Sequence, residues 1–432
     1  MRKIPFIKPN SKKVLKDDDV LEEDDNVREI IVEKKVGFNT FEVIALLLLA
    51  IIFGVVLGNS FSFFKNEIQG EKVSPELQEL VSVYHNILDN YYKDIDEMDL
   101  VDAAVDGMLS SLDDPYSIYM DEDSSTTFNE SVDGSYTGIG ITISAVDNKV
   151  VILEVAKDSP AEKADIKAGD ILLKVNNKTV DADNIVEVTD SIKEGKSKTV
   201  LLVIEREKEK LEKKIHIEEI DLITVTSKVF ALNNGNCGYI YINSFAANTY
   251  KQFKKELSTL EKKNINSLVI DVRSNPGGHV KQTKKILELF MDKNDVLYQV
   301  QIKKKKTKVK DTTKESRDYP VVILTNSTSA SASEILAAAF KESYRNSYLI
   351  GDTTYGKGTV QTAYTLSNGT SVKYTTEKWL TPKGTWIEGK GINPDKKVLL
   401  NNNYFSNPSD ENDFQLQTAL DYLENLKDTR ND

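Results

Sequence analysis

The sequence predicts an α/β multidomain protein with one membrane-spanning helix, an N-terminal helical segment, a β-rich domain and an α/β core. Three observations predict it. An uncharged apolar run lies near the N-terminus, residues 74–112 carry apolar side chains at three- and four-residue spacing, and from Gly138 short β-branched runs begin. Beyond about residue 222 these give way to alternating strand and helix patterns, the signature of a sheet with crossover helices. In 432 residues, 40% hydrophobic and 29% charged, there is apolar material for about two to three domains, each with its own core. The net charge of −12 argues against nucleic acid as a partner. A single cysteine, Cys237, excludes an internal disulfide, and three histidines supply no His-rich metal site.

Residues 1–40 are polar, with Lys12, Lys13 and Lys16 followed by Asp17, Asp18 and Asp19, and read as a disordered cytoplasmic tail. Residues 41–64 form a 24-residue anchor around VIALLLLAIIFGVVL, and a spanning helix needs about 20. The run is apolar all round, unlike a surface helix, and no A-x-A cleavage site follows. Lys34 and Lys35 before it orient the N-terminus to the cytoplasm, so the rest of the chain is expected on the extracytoplasmic side of the cell membrane. In the helical segment 70–130, Leu77, Leu80, Val81, Tyr84, Ile87 and Leu88 mark one helix and Leu100–Leu112 a second; Asp113-Asp114-Pro115 in LDDPYSIY stops it.

Between 133 and 218, strands are expected at Gly138–Ile143, Lys149–Val155, Ile171–Val175 and in TVLLVIER and KKIHIEE, with helices at Pro160 and at Asp183–Ile192. This block resembles a PDZ domain. The resemblance rests on Gly138-Ile139-Gly140-Ile141 and on Ser159-Pro160-Ala161 with Ala168-Gly169-Asp170-Ile171-Leu172. It implies that backbone N–H groups of Gly138, Ile139, Gly140 and Ile141 hold a peptide's terminal carboxylate while the peptide adds as a strand. Arg206, at a strand end, is a candidate relay of the docked state, against the plainer reading of a solvated charge.

The core, 219–400, has strands at Cys237–Ile242, Ser267–Val272, Pro320–Thr325 and Tyr348–Gly351, and helices at Thr249–Lys262, Val280–Met291 and Ser333–Lys341. Ser267–Val272 is nearly continuous in apolar residues, as a buried parallel strand should be. The lysines of 303–308 read as an exposed hairpin rather than a nucleic-acid patch. A C-terminal helical segment, 401–432, includes Phe414–Leu426.

Three motifs stand at strand ends in this core. Asp271–Gly278, DVRSNPGG, can aim backbone N–H groups outward. Ser327–Glu334 is a strand-to-helix turn of small residues, where a serine can stand at a helix N-terminus whose free N–H groups favour a developing oxyanion; Ser331 or Ser333 could equally be a plain N-cap. Gly351–Gln361 carries Lys357 between two glycines. The hydroxyl residue a phosphate loop needs after its lysine is missing, so Lys357 reads as a general base, its amine neutralised by partial burial. His279, directly after Pro-Gly-Gly, is a rival base.

Taken in order, LDDPYSIY, the PDZ block, DVRSNPGG, TSASASEILAAAFK, YGKGTVQ and WLTPKGTWIEGKGINPD resemble the carboxy-terminal processing peptidases, tail-specific serine proteases, from about residue 75 to the end. The resemblance implies a crotonase/ClpP-like protease core, no cofactor and no metal. It implies a Ser–Lys dyad of Ser331 and Lys357 with Gln361 orienting the lysine. The oxyanion donors would be the N–H of Ala332 and one of Gly277 and Gly278. Serine and lysine stand 26 residues apart, at 331 and 357, one more than the family pattern, which leaves Ser329 and Ser333 as neighbours to test. The partners implied are protein substrates with exposed C-terminal tails. A homodimer through helices 74–112 and Phe414–Leu426, and a regulatory adaptor, are further partner candidates.

Overall fold

The computed structural model describes residues 74–193 and 198–426; the expected tail and anchor, 1–40 and 41–64, lie outside the described residues. Among the described residues no helix is long and apolar enough to cross a membrane. The chain divides into two compact units, one ending at Asp94 and one beginning at Ile95. Within the first lies helix α1 (Pro75–Asn90), capped by the Ser74 hydroxyl, which accepts from the Leu77 N–H, with Pro75 opening its first turn.

In the second unit α2 (Glu97–Ser110) and strand β1 (Ile118–Met120) lead to α3 (Glu122–Asp133) and β2 (Ser135–Gly138). The β-rich domain follows with β3 (Ile141–Val146), β4 (Lys149–Val155), α4 (Pro160–Lys163), β5 (Ile171–Val175), β6 (Lys178–Thr179), α5 (Ile185–Lys193), β7 (Thr199–Arg206) and β8 (Glu209–His216). Its sheet runs β3-β4-β5-β7-β8 over Ile152, Leu172, Leu202, Ile204 and Ile215, and β3 is an open edge. The return strand β9 (Glu218–Asp221) pairs with β2 at the foot of the domain.

The expected strand Gly138–Ile143 is broken. Gly138 belongs to β2, opposite Glu218, and β3 starts at Ile141. Between them Gly140 has φ +84°, and a Cβ there would lie 2.3 Å from the Ser159 Cβ, so only glycine fits. Nor is Arg206 a solvated charge. Its guanidinium clasps Asp170 through Nε and Nη2, both at 2.7 Å, and also holds Asp165, locking the Ala-Gly-Asp turn of its own domain.

The core contains β10 (Val225–Leu232), β11 (Gly235–Ile242), α6 (Thr249–Glu261), β12 (Ile265–Asp271), α7 (Val280–Leu287), β13 (Val296–Ile302), β14 (Lys305–Lys310), β15 (Val321–Thr325), α8 (Ala332–Ser343), β16 (Ser347–Gly351), β17 (Thr359–Thr365), β18 (Ser371–Leu380) and β19 (Lys396–Lys397), then α9 (Asn402–Ser406) and α10 (Phe414–Glu424). Helix α7 is shorter than its apolar pattern suggests. Beyond Leu287 the N–H groups of Leu289 and Phe290 turn back to carbonyls three residues earlier, burying Leu289, Phe290 and Met291 without continuing the helix.

The central sheet runs β10-β11-β12-β15-β16-β19, parallel from β11 onward. One face packs α6, α7 and α8 around Phe253, Phe290 and Phe340; the other packs α10 through Leu416, Leu420 and Leu423. Burial on both faces explains why Val321–Thr325 is wholly apolar but for its last residue. A second, antiparallel sheet runs β1-β18-β13-β14, with β17 also on β18. The carboxyl ends of β12, β15 and β16 emit the three motifs, the place where an open α/β sheet presents ligand-facing loops.

Candidate active site

The turn after β15 separates three serines that the sequence alone leaves open. Ser329 and Ser333 are fully buried. The Ser329 hydroxyl donates to the Val272 carbonyl at 2.8 Å, and the Ser333 hydroxyl to the Asn275 carbonyl at 2.9 Å. Both hold the loops together. Ser331 keeps 9% exposure and opens α8 with φ +55°, ψ −111°, a conformation a non-glycine residue adopts at a cost of roughly 1–3 kcal/mol. Strain of this kind persists where surrounding contacts over-determine a site.

Those contacts come from two residues given no role by the sequence. Asn275, buried in the Pro-Gly-Gly loop, donates to the Ile242 carbonyl and accepts the Gly277 N–H at 2.8 Å, while its own carbonyl accepts the Ala330 N–H at 3.0 Å. Gly277 therefore lies against the nucleophile turn: a Cβ on it would sit 2.9 Å from the Ser331 Cβ. Its N–H is already committed to Asn275. The N–H groups of Gly278 and Ala332 have no acceptor among the described residues. Gly278, at φ +131°, is set by the backbone of Phe245, whose carbonyl accepts the His279 N–H at 2.7 Å.

Glu334 is the second. Its fully buried carboxylate accepts the Ser331 N–H at 2.8 Å, the Thr354 hydroxyl at 2.6 Å, the Gly356 N–H at 2.7 Å and the Lys357 N–H at 2.9 Å. One carboxylate thus ties the serine turn to the lysine loop. Burial pushes its pKa up, and the four donors work against that.

The lysine loop is gripped from the far side by the run Trp379–Asp395. Trp379 Nε1 donates to the Lys357 carbonyl at 2.8 Å, Trp386 Nε1 to the Gly358 carbonyl at 3.2 Å, and Glu388 accepts the Gly358 N–H at 2.7 Å. A Cβ on Gly358 would meet the Trp386 ring nitrogen at 2.7 Å, and one on Gly356 the backbone of Lys390 and Gly391 at 2.9 Å, so both glycines are close-approach positions. The Lys357 ammonium itself makes no hydrogen bond to Ser331. It sits over the Tyr116 ring, 4.4 Å from the centroid. Burial, and then the positive charge of Lys373, hold its pKa below the usual lysine value, against the pull of Asp114, Glu388 and Glu334. The LDDPYSIY turn therefore lies at the lysine, a placement its turn-like sequence does not reveal. Gln361, in β17, donates through its NH₂ to the hydroxyls of Thr359 and Thr375, each at 3.0 Å, and makes no hydrogen bond with Lys357. Cys237 is fully buried beneath α10, as core. No cluster of three or more metal-ligating side chains occurs among the described residues.

In the β-rich domain the open edge of β3 and helix α5 border a cleft of about 760 Å³ lined by Gly140, Ile141, Ile143, Ile185, Val186 and Thr189. At its end the N–H groups of Ile139 and Gly140 have no acceptor among the described residues, while their carbonyls are held by Ala161 and Ala156. Gly138, paired into β2, stands outside that loop.

The serine turn and the lysine loop share the Glu334 carboxylate, and similarity to known families makes the protein a serine-type peptidase hydrolase. Residues 236–398 match peptidase family S41, residues 151–206 a PDZ domain, and residues 59–124 the N-terminal domain of the activating protease CtpB. The carboxy-terminal processing protease CtpA of Bacillus subtilis is 40% identical over 327 residues, 75% of this chain and 69% of that protein. CtpB of the same organism is 38% identical over 321 residues, 74% and 67%. A probable CtpA-like serine protease of Staphylococcus epidermidis is 36% identical over 359 residues, 82% and 72%. The chain belongs to the S41 family of carboxy-terminal processing peptidases.

Proposed function

We propose that the protein is a membrane-anchored endopeptidase that captures protein C-terminal tails in its PDZ cleft and cleaves them with a Ser331–Lys357 dyad on a crotonase/ClpP-like core. The observation that carries this is the sharing of Glu334 by the Ser331 and Lys357 backbones, together with hydroxyls of Ser329 and Ser333 that are already committed. In the reaction the neutral Lys357 amine takes the Ser331 hydroxyl proton as Oγ attacks the scissile carbonyl. The Ala332 and Gly278 N–H groups receive the oxyanion. The Lys357 ammonium then protonates the departing amine, leaving an acyl-serine and a neutral lysine; this amine takes a proton from the attacking water and returns it to Ser331 Oγ as the acyl bond breaks and the new carboxyl terminus leaves. Gln361, with its NH₂ fixed by two threonines, keeps its carbonyl oxygen to accept from the lysine. Ile139, Gly140 and Ile141 supply the carboxylate loop. Residues 41–64 anchor the chain, with the catalytic unit outside the cell membrane.

A second reading is favoured by one observation: the Lys357 ammonium rests on Tyr116 rather than on Ser331. The enzyme is then held shut until a bound tail, a second copy or an adaptor protein shifts the side chain. Cleavage of an unfolded protein with an apolar C-terminal tail, followed by mass spectrometry, tests the proposal. Lys357→Ala should abolish cleavage; unchanged cleavage would refute the dyad. A wild type that binds tails but cleaves them only when an added partner is present would establish the gated form.

A further inference from the structure

The antiparallel sheet beside the site ends in a hairpin of unusual charge. From Val296 to Lys310 there is no acidic residue, and the turn and outer strand carry Lys303, Lys304, Lys305, Lys306, Lys308 and Lys310 in a chain whose net charge is −12. All six are exposed. Some of the core's other lysines pair with carboxylates, Lys228 with Asp410, Lys284 with Glu288, Lys341 with Asp395 and Lys397 with Asp352, while others on its surface do not. None of the six hairpin lysines has such a partner among the described residues. At the tip, immediately before the lysine turn, Ile302 is 49% exposed.

Strand β14 is the free edge of its sheet, and lysines on an edge discourage pairing with another chain. That accounts for lysines on β14 itself, Lys305, Lys306, Lys308 and Lys310. It does not account for Lys303 and Lys304, which lie in the turn where there is no edge to protect, nor for an exposed isoleucine among them. Lys306, Lys308 and Lys310 share one face at period two. A row of cations with an apolar residue at its end is the pattern of a surface that meets anionic headgroups and seats a side chain at the interface. A soluble phosphate polymer would need the charge but would give Ile302 nothing to bury against.

We propose that the β13–β14 hairpin docks on an anionic bilayer, with its lysines on headgroup phosphates and Ile302 in the interfacial layer. The inference rests on the anchored reading above for the nearness of the bilayer: 30 residues, 65–94, separate the end of the anchor from the catalytic unit, a tether that keeps the hairpin at high effective concentration over the surface. Docking orients the catalytic unit toward tails emerging close to the membrane.

The full chain is reconstituted into vesicles of phosphatidylcholine alone or mixed with phosphatidylglycerol, carrying an environment-sensitive fluorophore on Ile302→Cys. Cys237 is fully buried and does not compete for the label. The expected result is a blue shift in the phosphatidylglycerol vesicles only, reversed by high salt and absent with the probe on Leu153→Cys, an exposed site of the PDZ domain. The combined K303E/K304E/K305E/K306E variant should lose the shift, and the corresponding Lys→Gln set, which only removes charge, should lose most of it. Both should still cleave a soluble tail peptide, which reports folding. Equal emission in the two vesicle types overturns the proposal. So does a shift produced by soluble polyphosphate but not by phosphatidylglycerol vesicles, which would make the hairpin a polymer site. Alkaline carbonate extraction reports the anchor separately. A chain that stays in the vesicles with a silent probe refutes the hairpin alone. A chain that washes out yet shows the shift when added to anionic vesicles refutes the anchor alone.

Discussion

The side chains of Ser331 and Lys357 are held to different standards, although the loops that carry them are held alike. At Ser331 both backbone and neighbours are fixed: a strained φ, Asn275 behind it, Glu334 across it and Gly277 pressed against its Cβ. At Lys357 the backbone is held as firmly, by Glu334 on one side and Trp379 on the other. Its long side chain, however, ends on an aromatic face instead of on the serine. The difference teaches where this peptidase can be switched. On the proposed reading the switch lies in rotations about the lysine's side-chain bonds, whereas the serine is held in place.

The largest expected effects strike both halves alike. Ser331→Ala and Lys357→Ala should each lower kcat by on the order of 10⁴ or more, and the double variant should be little worse than either, because in the proposed dyad the two groups act as one unit. Additive losses would break the comparison. Next, Gly277→Ala puts a methyl group against the Ser331 Cβ and the Ala330 carbonyl and forces an alanine to φ +106°. A loss of activity of about a hundredfold or more and a destabilisation of roughly 1–3 kcal/mol are expected in denaturant titrations.

Glu334→Gln should be milder. It keeps a carbonyl for some donors but puts an NH₂ against others, costing about 1–3 kcal/mol and lowering kcat more than it raises KM. A KM-only effect would show that Glu334 does not position the dyad.

The smallest effect is in pH. A base with a depressed pKa is protonated and idle below that pKa, so kcat/KM should fall as pH falls through a value below the ordinary lysine pKa of about 10.4. Folding stability follows the same sign: burial favours the neutral amine, so its penalty is present at low pH and disappears as pH rises through the folded and then the unfolded pKa. Lys373→Met removes a repelling charge and should move the activity limb to higher pH. A limb that stays put would exclude Lys357 as the titrating group.

Much of the fold could be read from the sequence because its strands are short, apolar and bounded by turn residues. The Lys149–Val155, Ile171–Val175 and Thr199–Arg206 strands begin and end where their patterns do. Reading failed where a tertiary contact overrode a local pattern. The strand expected through Gly138–Ile143 breaks because Gly140 must approach Ser159, and the helix expected through Met291 ends early because Leu289, Phe290 and Met291 bury themselves in a tighter turn. At the site, the serine run and the lysine between glycines announce themselves. The residues that hold them do not. Glu334 looks like a first-turn acid, Asn275 like part of a tight turn and Tyr116 like the end of a helix stop; each acquires its role from a partner between 20 and more than 200 residues away.

Acid quenching during turnover of a tail substrate, with peptide mapping of the trapped acyl-enzyme, tests the dyad most directly. The adduct should fall on Ser331, disappear in Lys357→Ala and persist in His279→Ala. An adduct on Ser329 or Ser333, or one that forms at an unchanged rate without Lys357, would contradict it.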